Sequence, residues 1–436
     1  MENSTYSILE KARKLYKKYD HILSKDLELA YDSYTTSYIS SWRKDCKQPE
    51  INLHKMISRV GGFPPALVRY FIAKFTQPGE VILDPFCGKG TSLLEAVRLG
   101  RIAIGGDIAP DAVIITKAKC NPPTIAKAIN YVQEIRSDRK VCLSEVPDDV
   151  SIFYSTKTLK QILSIREFLL DEMRSDNIER QNNANFICAI LLGILHGKSS
   201  KCLSLPCNHS FAMSPGYVRN YVKEHNLIKP ERDVKECLIK KILEVLPAPK
   251  NIAHSAIYEM SAKDCNNYIN ESNKKANLII TSPPYLDRQT YLRDSWLRLW
   301  FIKRDWRELK KTSLETGNIR IFIEGMKEVM ISLWNSLHTK GKIVLVCGTA
   351  KVDIAGKTQP VRISDLCLLA ADQIRDQGYI FNIENIIKDK LLMKRGTYFA
   401  VIHGKSDNGN NHSSKRYGED EILILSKKRG RINKQG

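Results

Sequence analysis

Residues 278–285, "LIITSPPY", place a hydroxyl group and an aromatic ring around a rigid pair of prolines. The apolar run before Ser282 contains β-branched isoleucines and is short, which predicts a buried strand of a parallel sheet. Pro283 and Pro284 cannot continue that strand, because proline lacks the N–H that a sheet ladder needs. Ser282 and Tyr285 are therefore expected on a stiff loop at the carboxyl end of a strand, where open α/β sheets bind ligands. An ordinary strand-ending turn is the alternative.

A glycine-rich loop lies far upstream, in "GEVILDPFCGKGTSLLEAVRLGRIAIGGD". The pattern predicts a strand, a turn at Gly88 and Gly90, a helix over residues 91–99, and a second strand that ends in Asp107. A P-loop needs another glycine shortly before its Gly-Lys pair, and an acid and apolar residues stand there instead. A dinucleotide fingerprint would need glycine at the position of Leu93.

The two acids of this unit indicate the kind of ligand. A carboxylate at the end of the second strand, here Asp107, suits a pair of ribose hydroxyls. The carboxylate of Asp84 adds negative charge beside the loop, which repels a phosphate and suits a cation. S-adenosylmethionine carries a sulfonium, an ammonium and a ribose, so the residues favour it as the ligand.

"DPFCGKGT" followed by "TSPPY" resembles the two signature motifs of the exocyclic-amino DNA methyltransferases. "FPPALVRYFIAKF", just before the glycine loop, resembles the helix that closes over the methionine end of the cofactor in that family. The resemblance covers about residues 50–120 and 255–350. It implies an α/β, Rossmann-like class I methyltransferase fold with a mixed, mostly parallel seven-stranded sheet, here carrying a large helical insertion.

The same resemblance implies the site residues. An acid after the third strand, "SAIYEM", bonds the cofactor adenine in the family, and Asp264 matches it. The implied cofactor-binding residues are Phe63, Pro64, Asp84, Pro85, Phe86, Gly88, Gly90, Thr91, Asp107 and Asp264. The implied catalytic residues are Ser282, Pro283, Pro284 and Tyr285.

The chemistry of the corner follows from its substrate. An exocyclic amine is a poor nucleophile, because its lone pair is delocalised into the ring, so it must be held in position. The Ser282 hydroxyl and the Pro283 carbonyl can accept its hydrogens, and Tyr285 can stack on a base that has left the duplex. No metal and no covalent intermediate are required. In the family, serine before Pro-Pro-Tyr favours cytosine; adenine, or an amino group of structured RNA, are the alternatives.

The charge of the chain points to a polyanionic partner. The 436 residues carry a formal net charge of +20, with an isoelectric point near 9.4. Double-stranded DNA is the partner that we expect, with a restriction or other defence component as a further one. The sequence shows no apolar run long enough for a membrane span and no secretory leader, so a cytoplasmic, nucleoid-associated prokaryotic protein is expected. Eleven cysteines without a CxxC pair predict neither a disulfide framework nor a zinc site.

Four segments are predicted along the chain. Residues 1–50 form a basic helical segment, 51–120 the cofactor-binding half, 121–250 the helical insertion, and 251–436 the catalytic half with a basic tail. The glycine loop precedes the "TSPPY" motif, as in the subclass of the family that places target recognition between the two, which makes the insertion the candidate recognition domain. Within it, a polar basic stretch supplies candidate nucleic-acid contacts at Lys198, Lys201, Arg219 and Lys223.

The remaining patterns predict secondary structure in the catalytic half. "YLRDSWLRLWFIKRDW" is expected to be helical, with Trp296, Leu299 and Trp300 on one buried face, and "GKIVLVCGTA" to be a fifth strand. "IENIIKDKLL" and "YFAVIHGK" are expected to pair as a hairpin, before a last strand in "DEILILSKK".

Overall fold

A computed structural model describes residues 2–18, 51–59, 62, 64–137, 139–197, 201–206, 214–248, 253–271, 274–286, 291–354, 356–392 and 417–428. The strands in these ranges are β1 (Val81–Asp84), β2 (Ile102–Asp107), β3 (Ser255–Glu259), β4 (Ala276–Thr281), β5 (Leu337–Cys347), β6 (Thr349–Ile354), β7 (Lys357–Arg362), β8 (Phe381–Leu392) and β9 (Tyr417–Lys427).

The α-helices surround this set of strands. They are α1 (Glu2–Lys18), α2 (Pro65–Phe75), α3 (Thr91–Arg98), α4 (Pro110–Cys120), α5 (Ile125–Glu134), α6 (Asp148–Ser151), α7 (Thr156–Glu172), α8 (Ile178–Ile194), α9 (Pro215–Glu224), α10 (Val234–Val245), α11 (Cys265–Glu271), α12 (Tyr291–Asp294), α13 (Trp296–Phe301), α14 (Trp306–Thr312), α15 (Ile319–Ser336) and α16 (Ile363–Gln373). Short 3₁₀ turns lie at Asn52–Lys55, Ala262–Asp264 and Arg375–Gln377.

Seven strands form one sheet in the order β3-β2-β1-β4-β5-β9-β8, and β6 and β7 form a separate antiparallel pair. The strands from β3 to β5 are parallel to their neighbours, whereas β9 runs antiparallel to both β5 and β8. Helices cover both faces, with separate hydrophobic cores on the two sides. This architecture confirms the predicted α/β, Rossmann-like fold with a mostly parallel seven-stranded sheet.

The order of the strands determines where a ligand can bind. β1 lies between β2 and β4 in the sheet. The chain passes from β1 to β2 on one side and later returns to β4 on the other side, so the strand order reverses at β1. A crevice forms outside the carboxyl ends of the strands at such a switch point. All four residues of β1 are buried, as expected of a strand covered on both faces. The glycine loop after β1 and the Ser-Pro-Pro-Tyr corner after β4 therefore meet at this crevice.

The helices between β2 and β3 are not separated from the sheet. Residues of α8 are buried almost continuously from Ala184 to Leu192, and the side-chain amide of Asn185 donates to the carbonyl oxygen of Ile114 in α4 over 3.0 Å. The apolar side chains of α5, α7, α8 and α10 belong to the same core as Leu278 of β4. The region expected as a helical insertion is thus helical and extends one core of the sheet.

The N-terminal helix packs on the opposite side of the molecule. Leu9, Ala12 and Leu15 of α1 are buried against the second core, and the Gln359 side chain of β7 donates to the Tyr6 hydroxyl over 2.7 Å. Residues 19–50 of the predicted basic helical segment lie outside the described residues. The described part of this segment therefore has a packing role.

β8 pairs along its length with β9. The segment "YFAVIHGK" lies outside the described residues, so its pairing stays a prediction. One secondary-structure prediction needs correction. The helix expected from residue 291 is divided into α12, α13 and α14, with breaks at Ser295 and around Lys303, whose φ is +57°. Leu299 is fully buried, as the apolar stripe predicted.

Candidate active site

The loop between β1 and α3 turns back sharply at two glycines. Gly88 and Gly90 have φ values of +51° and +71°, a region that side chains with a Cβ atom rarely occupy. A Cβ atom at Gly90 would also lie 2.7 Å from the hydroxyl oxygen of Thr116 in α4. The tight turn brings the Gly88 amide to the end of β2, where it donates to the Asp107 carboxylate over 2.9 Å.

Asp107 is held at the end of β2 by backbone amides. Its second oxygen accepts from the Ala109 amide, also over 2.9 Å. Burial raises the pKa of the Asp107 carboxyl, and the guanidinium of Arg59 and the two amides act in the opposite direction. A carboxylate has about four acceptor positions, so the two amides leave capacity for further donors on the cavity side.

Asp84 connects the two motifs. One oxygen accepts from the Thr281 hydroxyl over 2.6 Å and from the Phe86 amide over 3.1 Å, and the other accepts from the Ser92 hydroxyl. Thr281 is the last residue of β4 and directly precedes Ser282. Burial raises the pKa of Asp84 to about 6, against the lowering effect of these donors. The carboxylate thereby ties the glycine loop to the proline corner.

A buried lysine supports the glycine loop from below. Lys119, in the last turn of α4, has no exposed surface, and its ammonium donates to the carbonyl oxygen of Lys89 over 2.6 Å. Burial, together with the nearby charge of Lys89, lowers the pKa of Lys119 to about 7. No local pattern in the sequence separates this lysine from the surface lysines.

The corner after β4 is anchored to β5. The Ser282 hydroxyl lies 2.9 Å from the carbonyl oxygen of Val346, to which it donates, and 3.2 Å from the Tyr285 hydroxyl. The Tyr285 ring is 9% exposed and packs against Gly348, where a Cβ atom would lie 2.5 Å from the ring. Glycine at position 348 is thus required for the observed position of this tyrosine.

A cavity of about 810 Å³, a volume that includes its open mouth, joins the two motifs. Sequence-predicted residues from both motifs line it: Asp84, Phe86, Gly88, Thr91, Asp107, Ser282 and Pro284. The structure therefore brings half of the predicted cofactor residues and part of the predicted catalytic corner to one space.

Several predicted site residues lie elsewhere. Asp264 is exposed, at the end of a 3₁₀ turn, and is not among the described residues that line the cavity. Pro85, Gly90, Pro283 and Tyr285 belong to the two loops, although none of these four is among the described lining residues. Pro64 caps the start of α2, and Phe63 lies outside the described residues.

Three of the predicted nucleic-acid residues are described, and they lie on the surface of the helical region. Lys201 forms an ion pair with Glu244 over 2.7 Å, and Arg219 forms one with Asp149. Lys223 is exposed in the last turn of α9, and Lys198 lies outside the described residues.

The cavity also contains residues that the sequence analysis missed. Arg59 lines it and forms a 2.6 Å ion pair with the fully buried Asp111. Tyr291 and Glu315 line the part of the cavity contributed by segments that follow the corner. These residues reach the site through tertiary packing and belong to no recognisable local motif.

The lining fits S-adenosylmethionine. The Asp107 carboxylate can accept from ribose hydroxyls, Asp84 adds negative charge beside a cationic ligand, and Phe86 and Ile108 offer apolar surface to a purine ring. Within the described ranges, His, Cys, Asp and Glu side chains form no group of three or more that could hold a metal ion. No helix in the described part of the chain is both long and apolar enough to cross a bilayer.

Comparison with known proteins finds one family model and two relatives that match parts of the chain. The model of the N6/N4 DNA methylase family matches residues 2–118. The type II methyltransferase M.MjaII of Methanocaldococcus jannaschii is 30% identical over 103 residues, which are 24% of this chain and 19% of that protein. The type II methyltransferase M.BsoBI of Geobacillus stearothermophilus is 24% identical over 339 residues, which are 68% of this chain and 60% of that protein. The chain thus spans less than two thirds of the length of either relative.

Solved structures with the same general fold are distant. TrmN from Thermus thermophilus matches with a TM-score of 0.31 and 10% identity, over 86% of this chain and 52% of that one. A TehB-like SAM-dependent methyltransferase from Corynebacterium glutamicum matches with a TM-score of 0.28 and 9% identity, over 91% and 100% of the two chains. The strand order of the sheet itself, and not these low scores, defines the fold.

The family match and the two relatives confirm the resemblance that the "DPFCGKGT" and "TSPPY" motifs predict, without distinguishing the cytosine from the adenine subtype. Over the matched residues the chain is similar to the exocyclic-amino DNA methyltransferases, and its cofactor is S-adenosylmethionine.

Proposed function

We propose that the protein transfers a methyl group from S-adenosylmethionine to the exocyclic amino group of a base in DNA, with cytosine as the favoured target. The observation that carries this proposal is the shared cavity, in which Asp107 and the glycine loop face Ser282 and Pro284 across one space. The Asp84–Thr281 hydrogen bond fixes the two loops to each other. Such an arrangement can hold a methyl donor and an acceptor amine side by side, which is the main requirement of the reaction.

Ser282 is suited to accept a hydrogen bond from the amine. A hydroxyl has a single proton, and the 2.9 Å contact with the Val346 carbonyl uses the proton of Ser282. Its oxygen then has only lone pairs to offer to the cavity. The Pro283 carbonyl is proposed as the second acceptor, so that the two together orient the nitrogen lone pair toward the methyl group.

The aromatic partner of the base is proposed to be Tyr285. The ring lies against Gly348, and the hydroxyl lies within 3.2 Å of Ser282. A flipped base that stacks on this ring would have to reach it past the Ser-Pro-Pro-Tyr loop. Stacking on an aromatic ring is worth about 1–3 kcal/mol per base, which offsets part of the cost of leaving the duplex.

DNA binding is proposed to use the positive charge of the chain. Lys201, Arg219 and Lys223 are the candidate contacts, and the ion pairs of the first two lie at partly exposed positions where a phosphate can replace the carboxylate. The proposed setting is the DNA of a prokaryotic cytoplasm, within a restriction or other defence system. Asp264, although exposed, is retained as a proposed contact of the cofactor adenine.

The test is mass spectrometry of nucleosides from DNA and RNA of cells that express the protein. N4-methylcytosine in DNA is the expected product. Ser282→Ala should lower the yield at least about 100-fold, because one preorganised hydrogen bond in a dry site is worth that much. Ser151→Ala, on the surface of α6, is the matched control and should leave the yield unchanged.

The other outcomes decide between the alternatives. N6-methyladenine in DNA would overturn the cytosine preference and retain the DNA proposal. A methylated amino group in RNA alone would replace DNA by RNA as substrate. Wild-type activity in Ser282→Ala would show that the serine does not position the amine.

A further inference from the structure

Among the described residues three carboxylates line the cavity, and two of them already have roles on the cofactor side. Asp84 receives hydrogen bonds on both of its oxygens from the loop and from β4. Asp107 lies at the end of β2 and receives two backbone amides. The third is Glu315, from the segment between α14 and α15, which is 5% exposed.

The chain around Glu315 holds this carboxylate in place. One oxygen of Glu315 accepts from the Leu292 amide of α12 over 3.3 Å, and its own amide donates to the Ser313 hydroxyl over 3.2 Å. The intervening Leu314 packs against Gly325 of α15, where a Cβ atom would lie 2.1 Å from the leucine side chain. A buried acid fixed in this way from two helices is preorganised for a function at the cavity.

Glu315 lies beside the segment that follows the proline corner. It is bonded to the helix that follows the proline corner, and its charge acts on the hydroxyl of Tyr291, a neighbour in the cavity lining. Burial and the negative charge of Glu315 both raise the pKa of Tyr291, which therefore stays protonated at neutral pH. Ser282, a proposed amine acceptor, and Pro284 line the same cavity as Glu315.

The reaction requires a proton acceptor near the amino group. The amino nitrogen forms a bond to the methyl carbon, the sulfur keeps the electron pair of the broken carbon–sulfur bond, and the nitrogen must then release one proton. Ser282 and the Pro283 carbonyl can accept hydrogen bonds, but neither is basic enough to hold that proton. A carboxylate can take it, and the methylated amine then leaves as a neutral group.

We propose that Glu315 is a catalytic residue that accepts the proton released by the amino group, an inference that rests on the proposed function. Its carboxylate takes the proton as the carbon–nitrogen bond forms or directly after, and returns it to solvent through the open mouth of the cavity. Asp84 and Asp107 do not serve this step, because the loops and the cofactor use their oxygens.

The test compares Glu315→Gln with wild type in single-turnover methylation of DNA. The glutamine oxygen can still accept from the Leu292 amide, so the variant should fold as wild type does. Its affinities for the cofactor and for DNA should change less than about twofold. The methylation rate should fall by 10²–10⁴-fold, the usual contribution of general acid–base catalysis. Glu315→Asp should recover part of the rate. Glu308→Gln, an exposed acid of α14 paired with Lys311, is the control and should be silent.

The pH dependence separates a proton acceptor from a merely structural residue. The wild-type rate should fall at acid pH as the Glu315 carboxylate is protonated, and this fall should be absent from Glu315→Gln. The other ionisable groups of the lining are Arg59, Asp84, Cys87, Lys89, Asp107 and Tyr291. They are present in both proteins, so their titration cancels in the ratio of the two rates.

Each result has a defined meaning. If Glu315→Gln methylates DNA at the wild-type rate, or if the ratio of the two rates does not change with pH, the assignment of Glu315 is wrong and the proposed function stands. If the glutamine variant does not fold, the pH profile of a folded Glu315→Asp decides instead, since a shifted acid limb supports the assignment and an unshifted one overturns it. If the wild-type protein methylates no DNA, the proposed function fails and this inference fails with it.

Discussion

Removal of the buried Lys119 amine should change how the stability of the protein depends on pH. The side chain has no exposed surface, and the described hydrogen-bond partner of its ammonium is the carbonyl oxygen of Lys89. Burial lowers the pKa of this amine from its ordinary 10.5 to about 7. Between these two values the unfolded chain carries a proton on Lys119 that the folded chain has released. Stability from this group is therefore complete above pH 10.5 and is lost as pH falls toward 7.

The size of the effect follows from the same pKa difference. Each pH unit is worth about 1.4 kcal/mol of unfolding free energy when the unfolded state binds one more proton. Over the whole interval between the folded and unfolded pKa values, the gain for wild type reaches about 5 kcal/mol at most. Between pH 7 and 9 it should be about 2–3 kcal/mol. Lys119→Met should lack this gain, because methionine fills similar space and carries no proton.

Urea unfolding at pH 7, 8 and 9 measures the difference between the two proteins. The free energy of unfolding of wild type should rise relative to that of Lys119→Met as the pH increases from 7 to 9. Lys127→Met provides the control, since Lys127 is exposed on α5 and paired with Glu179. Parallel curves for wild type and Lys119→Met over this range would show that the buried amine keeps its proton in the folded state.

Three further outcomes are expected. Asp107→Ala should weaken S-adenosylmethionine binding by about 2–3 kcal/mol through loss of two charge-assisted hydrogen bonds, and unchanged affinity in calorimetry would contradict that role. Burial raises the pKa of Asp84 to about 6, so its protonated carboxyl favours the folded state. This contribution to stability is complete below pH 4, is lost as the pH rises through 6, and amounts to about 3 kcal/mol in all. Asp84→Asn should lack this loss when chemical unfolding is compared at pH 4 and pH 7. Gly348→Ala should displace the Tyr285 ring and lower methylation at least about tenfold with cofactor affinity unchanged, whereas Gly216→Ala, with open space around its Cα, should be silent in both assays.

The parallel strands were predictable because their patterns are local. "EVILD" and "RIAIGGD" each combine a short β-branched run with an acid at the carboxyl end, and β1 and β2 end at Asp84 and Asp107 as expected. The two signature motifs also predicted that both loops belong to one site. Parallel strands of one sheet present all their carboxyl ends at one edge, so knowledge of the two strands was sufficient.

Other site residues could not be predicted, because only tertiary packing brings them to the cavity. Glu315 lies between two helices of ordinary composition, and its place depends on Gly325 and on the Leu292 amide. Arg59 depends on a buried partner, Asp111, that the sequence pattern shows only as a helix residue. Asp264 follows the third strand as the family pattern requires, and its side chain is exposed at the end of a 3₁₀ turn, so its contact with the cofactor adenine stays a prediction.

The helical region between the motifs shows why two distant segments can form one site. Residues 108–254 separate the end of β2 from β3, yet β1 and β4 are hydrogen-bonded neighbours, with Ile82 opposite Leu278 and Leu83 opposite Ile279. The entropic cost of closing a loop grows only with the logarithm of its length, so a long insertion costs the sheet little. The buried surface of α8 repays that cost, since its apolar side chains complete the core beneath α4. The Asp84–Thr281 hydrogen bond then sets the distance between the cofactor loop and the proline corner, whatever the length of the chain between them.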